Sequence, residues 1–455
     1  MMLNILQLDG ATPTDIRYED GSIVISIEPS DDAVAKHCHN CGGKIYKHGK
    51  RVNHFADTPM QMQPVSLEVT RTRYRCADCK SMFMPEFTFL DDKRRATSRL
   101  IDAIKKRCLQ STFTHLSEET GLAINTIKNI SSDYIEELER TVKFETPTIM
   151  GIDELKLGGE YRCVITNLGM KSLYDMLPNR RQELLIPYFE KLPDADKIEW
   201  VCTDMWRPYK RSFRDYLPNA TLIIDKFHVV RIASELMEKE RKDMQSQFNK
   251  VARLHAKKNL RWLTLKRPNS LNDQELEMLE DMEKTMPKLK LAYDIKEDFY
   301  KIYDCETKEA AEEAFKNWAD NIPTDLPQFN DLVKTVSNNY DDIFAYWDAP
   351  FNITNAYTEG HNGLTRIANR LGRGYSFEVI RAKMLYNKIA RSVTSISTKA
   401  TSTKPLTVAP DSPVTAVSSK DLNFSFSTKY KKIKIEYGAH IPTLVEIYED
   451  QNEIE

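Results

Sequence analysis

Two Cys-Xaa-Xaa-Cys knuckles near the amino terminus constrain this chain more than any other feature. Cys38-His39-Asn40-Cys41 and Cys76-Ala77-Asp78-Cys79 are separated by 34 residues. Two such turns present four thiolates to one tetrahedral ion, which suits the soft, geometry-indifferent Zn²⁺. The intervening stretch is long for a short ribbon but fits a ribbon with a β-hairpin extension, and Val65, Leu67 and Val69 alternate as a strand does. Gly42-Gly43 permits the tight turn after the first knuckle. A redox pair or buried unliganded thiols are the alternatives, but a redox motif needs only one pair, at a helix start. Four protein ligands leave no open coordination position, so the zinc expected on Cys38, Cys41, Cys76 and Cys79 is structural. Cys108, Cys163, Cys202 and Cys305 are isolated in apolar segments and read as small core residues.

The 455 residues allow several domains. A net charge of −2 hides a local imbalance: 17 Lys/Arg stand against 10 Asp/Glu from Lys36 to Asp133. From His361 to Arg391 there are seven basic residues and one acid, Glu378. Two basic segments in a neutral chain point to surfaces facing a polyanion, with solvated helix faces as the plain alternative. No apolar run is long enough to span a bilayer, and MMLNILQLDG lacks a basic flank. The expectation is a cytoplasmic protein with reduced thiols and no membrane partner.

Along the chain, Ile16–Ile27 reads as a strand or hairpin, and helical periodicity runs from Thr97 to Val142. Within it, 113–122 and 123–128 have helix-turn-helix form: Gly121 supplies the turn, and Ile124, Ile127 and Ile130 recur at helical spacing. Asn125, Thr126, Lys128 and Asn129 would then face DNA, assisted by Arg94 and Arg95. After Pro147 come three strands, a helix, the strand Ile198–Thr203, a short helix and the strand Thr221–Asp225. That is the order of a ribonuclease-H-like α/β core. A charged helical block follows from about Val229 to Trp347, with an N-cap signature at Asn272 and Glu275, then helices at 354–371 and 378–392. Trp318 and Trp347 read as core residues. The stretch 394–420 is rich in Ser, Thr and Pro, and 422–448 alternates as a strand would.

Asp153 falls in the first strand of that core and Asp204 at the end of the fourth. Asn355, Glu359, Asn362, Gly363 and Arg366 share one polar face of the late helix. Three converging carboxylates repel unless cations lie between them, and two Mg²⁺ or Mn²⁺ ions meet that need and perform phosphoryl chemistry. Spacing by itself leaves Glu154 as a rival to Asp153.

Gly151-Ile152-Asp153-Glu154, the run from Thr203 to Tyr209, the run from Asp225 to Val229, and the run from Thr354 to Asn362 resemble, in order, the signature blocks of the ISL3 family of insertion-sequence transposases. The resemblance covers about Cys38 to Leu385. It implies a multidomain protein: N-terminal strands (1–35), a zinc-binding β ribbon (36–92), a helix-turn-helix DNA-binding domain (93–145), and an RNase-H-like core (146–395) with an all-α insertion at about 229–350. A flexible linker and tail (396–455) would complete it. Asp153, Asp204 and Glu359 become the catalytic metal ligands, with Asp225, His228 and Asn362 as accessory residues and Arg366, Arg370 and Arg373 as further DNA contacts. The implied activity is binding of terminal inverted repeats, strand cleavage and transfer to target DNA by a homodimer, at the nucleoid of a bacterial cell. The alternatives are a catalytically inactive, domesticated relative acting as a DNA-binding regulator, and a nuclease of another task such as a junction resolvase.

Overall fold

The computed structural model describes residues 6, 8–30, 35–246 and 260–387. The linker and tail at 396–455, Lys388, Arg391 and the end of the last helix lie outside the described residues. The described chain forms two compact units, one built from the residues up to Glu145 with those from Gly363 onward, the other from Thr146–Asn362.

The first unit is organised by a seven-stranded sheet. Strands β1 (Ala11–Glu19) and β2 (Ser22–Pro29) form the antiparallel hairpin expected near Ile16–Ile27. The long strands β3 (Ile45–Met60) and β4 (Gln63–Cys76) form a second hairpin that joins the two Cys knuckles. Because β2 pairs with β4 in parallel, both hairpins share one sheet, with the short strands β5 (Met82–Phe83), β6 (Leu90–Asp91) and β7 (Ala96–Thr97) at its margins. Alternation turns Val65, Leu67 and Val69 inward against Ile25, Ile27 and Phe55, all buried.

Three helices follow. α1 (Ser98–Cys108) is capped by the Thr97 hydroxyl, which accepts from the Leu100 amide. α2 (Phe113–Thr120) is capped by Thr112 and ends on Gly121 in the left-handed conformation. α3 (Ile124–Thr141) has no side-chain cap at Ala123, and its buried face carries Ile127, Ile130, Ile135 and Leu138.

In the second unit a five-stranded sheet has the order β10-β9-β8-β11-β12. β8 (Ile149–Leu157), β9 (Glu160–Asn167) and β10 (Ser172–Leu177) form an antiparallel meander. β11 (Trp200–Thr203) then runs parallel to β8, and β12 (Thr221–Ile224) parallel to β11. α4 (Gln182–Glu190) precedes β11, α5 (Arg207–Tyr216) links β11 to β12, and α6 (Lys226–Ser246) leaves β12. The helical block therefore begins at Lys226, three residues earlier than its periodicity suggested. The capping box at Asn272 and Glu275 starts the helix Asp273–Thr285 as expected.

Helices Pro287–Ile302, Lys308–Asp320 and Phe329–Ser337 enclose an aromatic core continuous with the sheet's apolar face. Trp318 and Trp347 belong to it. Each spends its indole N–H on a backbone carbonyl, of Ile295 at 2.9 Å and of Cys305 at 3.0 Å. Cys108, Cys163 and Cys202 are buried; Cys305 is only half-buried.

Candidate functional site

The four knuckle cysteines converge. Cys38 Sγ lies 3.6 Å from Cys79 Sγ, Cys41 Sγ lies 3.4 Å from Cys76 Sγ, and all four sulfurs are within 4.8 Å of one another. A tetrahedron with Zn–S bonds of ~2.3 Å has edges of roughly 3.8 Å, so the cluster fits that ion. Local backbone bonds shape both turns: Gly42 N–H donates to Cys38 O and Cys38 N–H to Gly43 O. A Cβ at Gly43 would meet Asp78 Oδ2 and approach Cys41 Sγ to 3.2 Å, so a side chain there would displace Asp78 and crowd the sulfur cluster. The Ser81 hydroxyl pulls the Cys38 thiol down to about 6 and also lowers Cys79, favouring the thiolate a metal takes.

The acidic site of the second unit is built by register. β11 pairs with β8 through Cys202↔Gly151 and with β12 through Thr203↔Ile224. Continued to the strand ends, that register sets Asp153, Asp204 and Asp225 side by side on three neighbouring strands, at a spacing of roughly 4.8 Å per strand. Ends of parallel strands are where α/β sheets place their sites.

The late helix Ala356–Gly372 supplies the rest. Asn355, just before it, donates to Ile152 O at 2.9 Å, and Thr358 Oγ1 lies 2.7 Å from Thr166 Oγ1 on β9. Asn362 Nδ2 donates to Asp153 Oδ2 at 2.9 Å. The helix start is thus stitched to β8 and β9, and Glu359 lies within electrostatic reach of Asp225, Asp153 and His228. Gly151 permits this approach: a Cβ there would meet Thr166 Oγ1 at 2.5 Å and Asn355 Oδ1 at 2.7 Å.

Burial raises Asp153 to about 6, with the negative charges of Asp204 and Asp225 adding to the shift against the pull of His228. Burial likewise raises Glu359 to about 7, reinforced by Asp225 and Asp153. Burial would lower His228, but Asp225, whose Oδ2 lies 3.5 Å from Nδ1, outweighs it and holds the imidazolium up to about 9. Both oxygens of the fully buried Asp225 lack a hydrogen bond. A buried carboxylate that pairs with His228 and whose acceptor capacity is unmet suits a site that attracts cations. Among the described residues only the four cysteines gather three or more such ligand atoms within 4.8 Å of one another; Asp153, Asp204 and Glu359 do not.

Glu154 has a different environment from Asp153. Its carboxylate is paired with Arg180, and that guanidinium stacks on Tyr161 at 4.3 Å and on Trp206 at 4.6 Å. The Trp206 amide in turn donates to Asp204 Oδ1 at 3.0 Å. Arg180, Thr166 and Gly151 thus belong to the site's support; Gly151 stands in the first signature block, but nothing in the local sequence marks Arg180 or Thr166 for it.

Of the residues expected to face DNA, Asn125, Lys128, Asn129, Arg95, Arg370 and Arg373 are exposed, and Thr126 and Arg366 partly so. Arg94 is engaged internally, with Asp91 at 2.9 Å and with Asp133. No helix among the described residues is long and apolar enough to cross a membrane.

The ISL3-type DDE family model, described as Transposase, matches residues 150–384, just over half of the chain. The chain is similar to the transposase for insertion sequence element IS1001 of Bordetella parapertussis, at 24% identity over 367 residues, 78% of this chain and 89% of that one. It is also similar to the transposase for insertion sequence element IS1557 of Mycobacterium tuberculosis, at 22% identity over 397 residues, 79% of this chain and 88% of that one. This chain belongs to the ISL3 family of insertion-sequence transposases.

Proposed function

We propose that this transposase binds the terminal inverted repeats of an insertion sequence and catalyses metal-dependent strand cleavage and strand transfer. The reading rests on the register that sets Asp153 of β8 beside Asp204 and Asp225, which follow β11 and β12, with Glu359 on a helix stitched to β8 and within electrostatic reach of Asp153 and Asp225. A meander followed by two parallel strands and interleaved helices supports an RNase-H-like core, with the block from α6 to about 350 as its insertion.

Asp153, Asp204 and Glu359 are the residues proposed to hold two Mg²⁺ or Mn²⁺ ions. Bound there, the ions would activate a water or 3′-hydroxyl and stabilise the departing oxygen. Asn362 orients Asp153 through its amide, and the Trp206 amide orients Asp204. The His228 imidazolium, held by Asp225, places a positive charge beside the acids, suited to a DNA phosphate.

In the first unit, α2 and α3 joined at Gly121 are suited to a helix-turn-helix role. Asn125, Thr126, Lys128 and Asn129 would read DNA there, with Arg95, Arg366, Arg370 and Arg373 on phosphates and Arg94 bracing the fold. Structural zinc on the cysteines would fix the ribbon, and the protein would act as a homodimer on DNA in the bacterial cytoplasm, at the nucleoid.

Nicking of a labelled inverted-repeat duplex in Mg²⁺ tests this. Wild type should cut at the repeat end, and Asp204→Ala should bind equally but not cut. Tight binding without any cleavage by wild type would replace the reading with that of a DNA-binding regulator.

A further inference from the structure

The hairpin that joins the knuckles projects beyond its own sheet. β2 accompanies β4 only from Val65 to Val69, and β7 meets β3 only at Ala56. From Ile45 to Val52, β3 pairs with β4 alone among the described residues, and the two-residue β5 adds to β4 only at Tyr74 and Arg75. What remains is a two-stranded ribbon, open along β3 and along β4 from Thr70 to Arg73, and rooted at Cys76 beside the sulfur cluster.

This ribbon is basic without relief. Residues 44–52 and 70–76 contain no Asp or Glu. Lys44, Lys47, Lys50 and Arg51 are exposed and Arg73 and Arg75 partly exposed, and among the described residues none of the six forms an ion pair. Several other arginines of the same unit are matched, Arg17 with Glu19 and Glu68, Arg71 with Asp92, Arg94 with Asp91 and Arg99 with Asp57, whereas Arg95, Arg370 and Arg373 are exposed like those of the ribbon. The register sets Tyr46 opposite Arg75, and Arg51 on the side of Arg71, Arg73 and Arg75, while Lys47 and Lys50 take the other face with Tyr74 and Thr72. Charge therefore lies on both faces. Unmatched like charges on adjacent strands weaken a sheet, so folding alone does not favour this arrangement.

We infer that this ribbon is a docking arm for duplex DNA, separate from the helical reader. A groove about 12 Å wide admits a two-stranded ribbon, and cations on both faces meet the phosphates of both flanking strands. The inference rests on the reading of this transposase as a DNA-binding protein. The competing role for the cations is to balance the thiolates of the knuckles.

The test uses the full chain and a labelled random-sequence duplex, with affinity followed by anisotropy across a KCl series. Zinc content is measured in parallel. Lys47→Gln/Lys50→Gln/Arg73→Gln/Arg75→Gln should keep its zinc, and its slope of log affinity against log salt should flatten by roughly 0.9 per lost contact. Replacing Lys47 and Lys50 with Arg should restore the wild-type slope. If the combined variant does not fold, each single variant should flatten the slope by about 0.9. An unchanged slope in variants that bind as wild type does overturns the arm while leaving DNA binding intact. Loss of zinc at unchanged slope assigns the cations to the thiolates and also overturns it. Failure of wild type to bind any duplex overturns the arm together with the DNA reading.

Discussion

Asp153 and Glu154 are neighbours on one strand, and their surroundings give them different work. Asp153 is 7% exposed, accepts from Asn362, and has acids for company. Glu154 is neutralised by Arg180, 26 residues away in sequence. Strand geometry turns successive side chains to opposite faces, so only one of the two can join Asp204 and Glu359. Composition and spacing left both acids open, because the deciding partners, Asn362 and Arg180, are remote in sequence. Asp153→Asn should lower cleavage at least about a hundredfold, the scale of losing a metal-organising carboxylate. Glu154→Gln should stay within about tenfold in cleavage and melt close to wild type, since burial raises the Glu154 carboxyl in spite of Arg180 and an isosteric amide loses little there. Nicking rates and thermal melts of the two variants check this.

The elements that could be read early are those with local causes. The knuckles, the capping box at Asn272 and the alternating strands each carry their signal within a few residues, and each stands where its signal put it. The joining of both amino-terminal hairpins into one sheet was not legible, because a parallel pairing of β2 with β4 depends on contacts about 40 residues apart. The docking of the late helix was equally hidden, since it rests on Asn355, Thr358 and Asn362 meeting strands about 200 residues earlier. Gly151 is the point where strand and helix approach most closely. Gly151→Ala would force its Cβ against Thr166, Asn355 and Leu168, all at 2.8 Å or less. We expect a loss of about 1–3 kcal/mol, the usual cost of overpacking, and a melting point lower by roughly 3–10 °C. Cleavage should fall further than stability, because Glu359 rides on the displaced helix.

At the scale of the whole molecule, fold stability and metal binding draw on the same acids. With Asp153 raised to about 6 and Glu359 to about 7, the folded protein keeps protons that the unfolded chain releases near pH 4. In metal-free protein these groups therefore contribute stability that is present below about pH 4 and lost as pH rises through 6 to 7. A divalent ion bound by the same carboxylates competes with those protons and stabilises only the folded state. The direct measurement is the shift in melting temperature caused by millimolar Mn²⁺ or Mg²⁺ in the absence of DNA, taken from pH 5.5 to pH 8. The shift should be small at pH 5.5, grow to its full size by pH 8 and disappear in Asp153→Asn/Glu359→Gln. A shift independent of pH and retained in that double variant, or none at any pH, would contradict a metal site made of these acids.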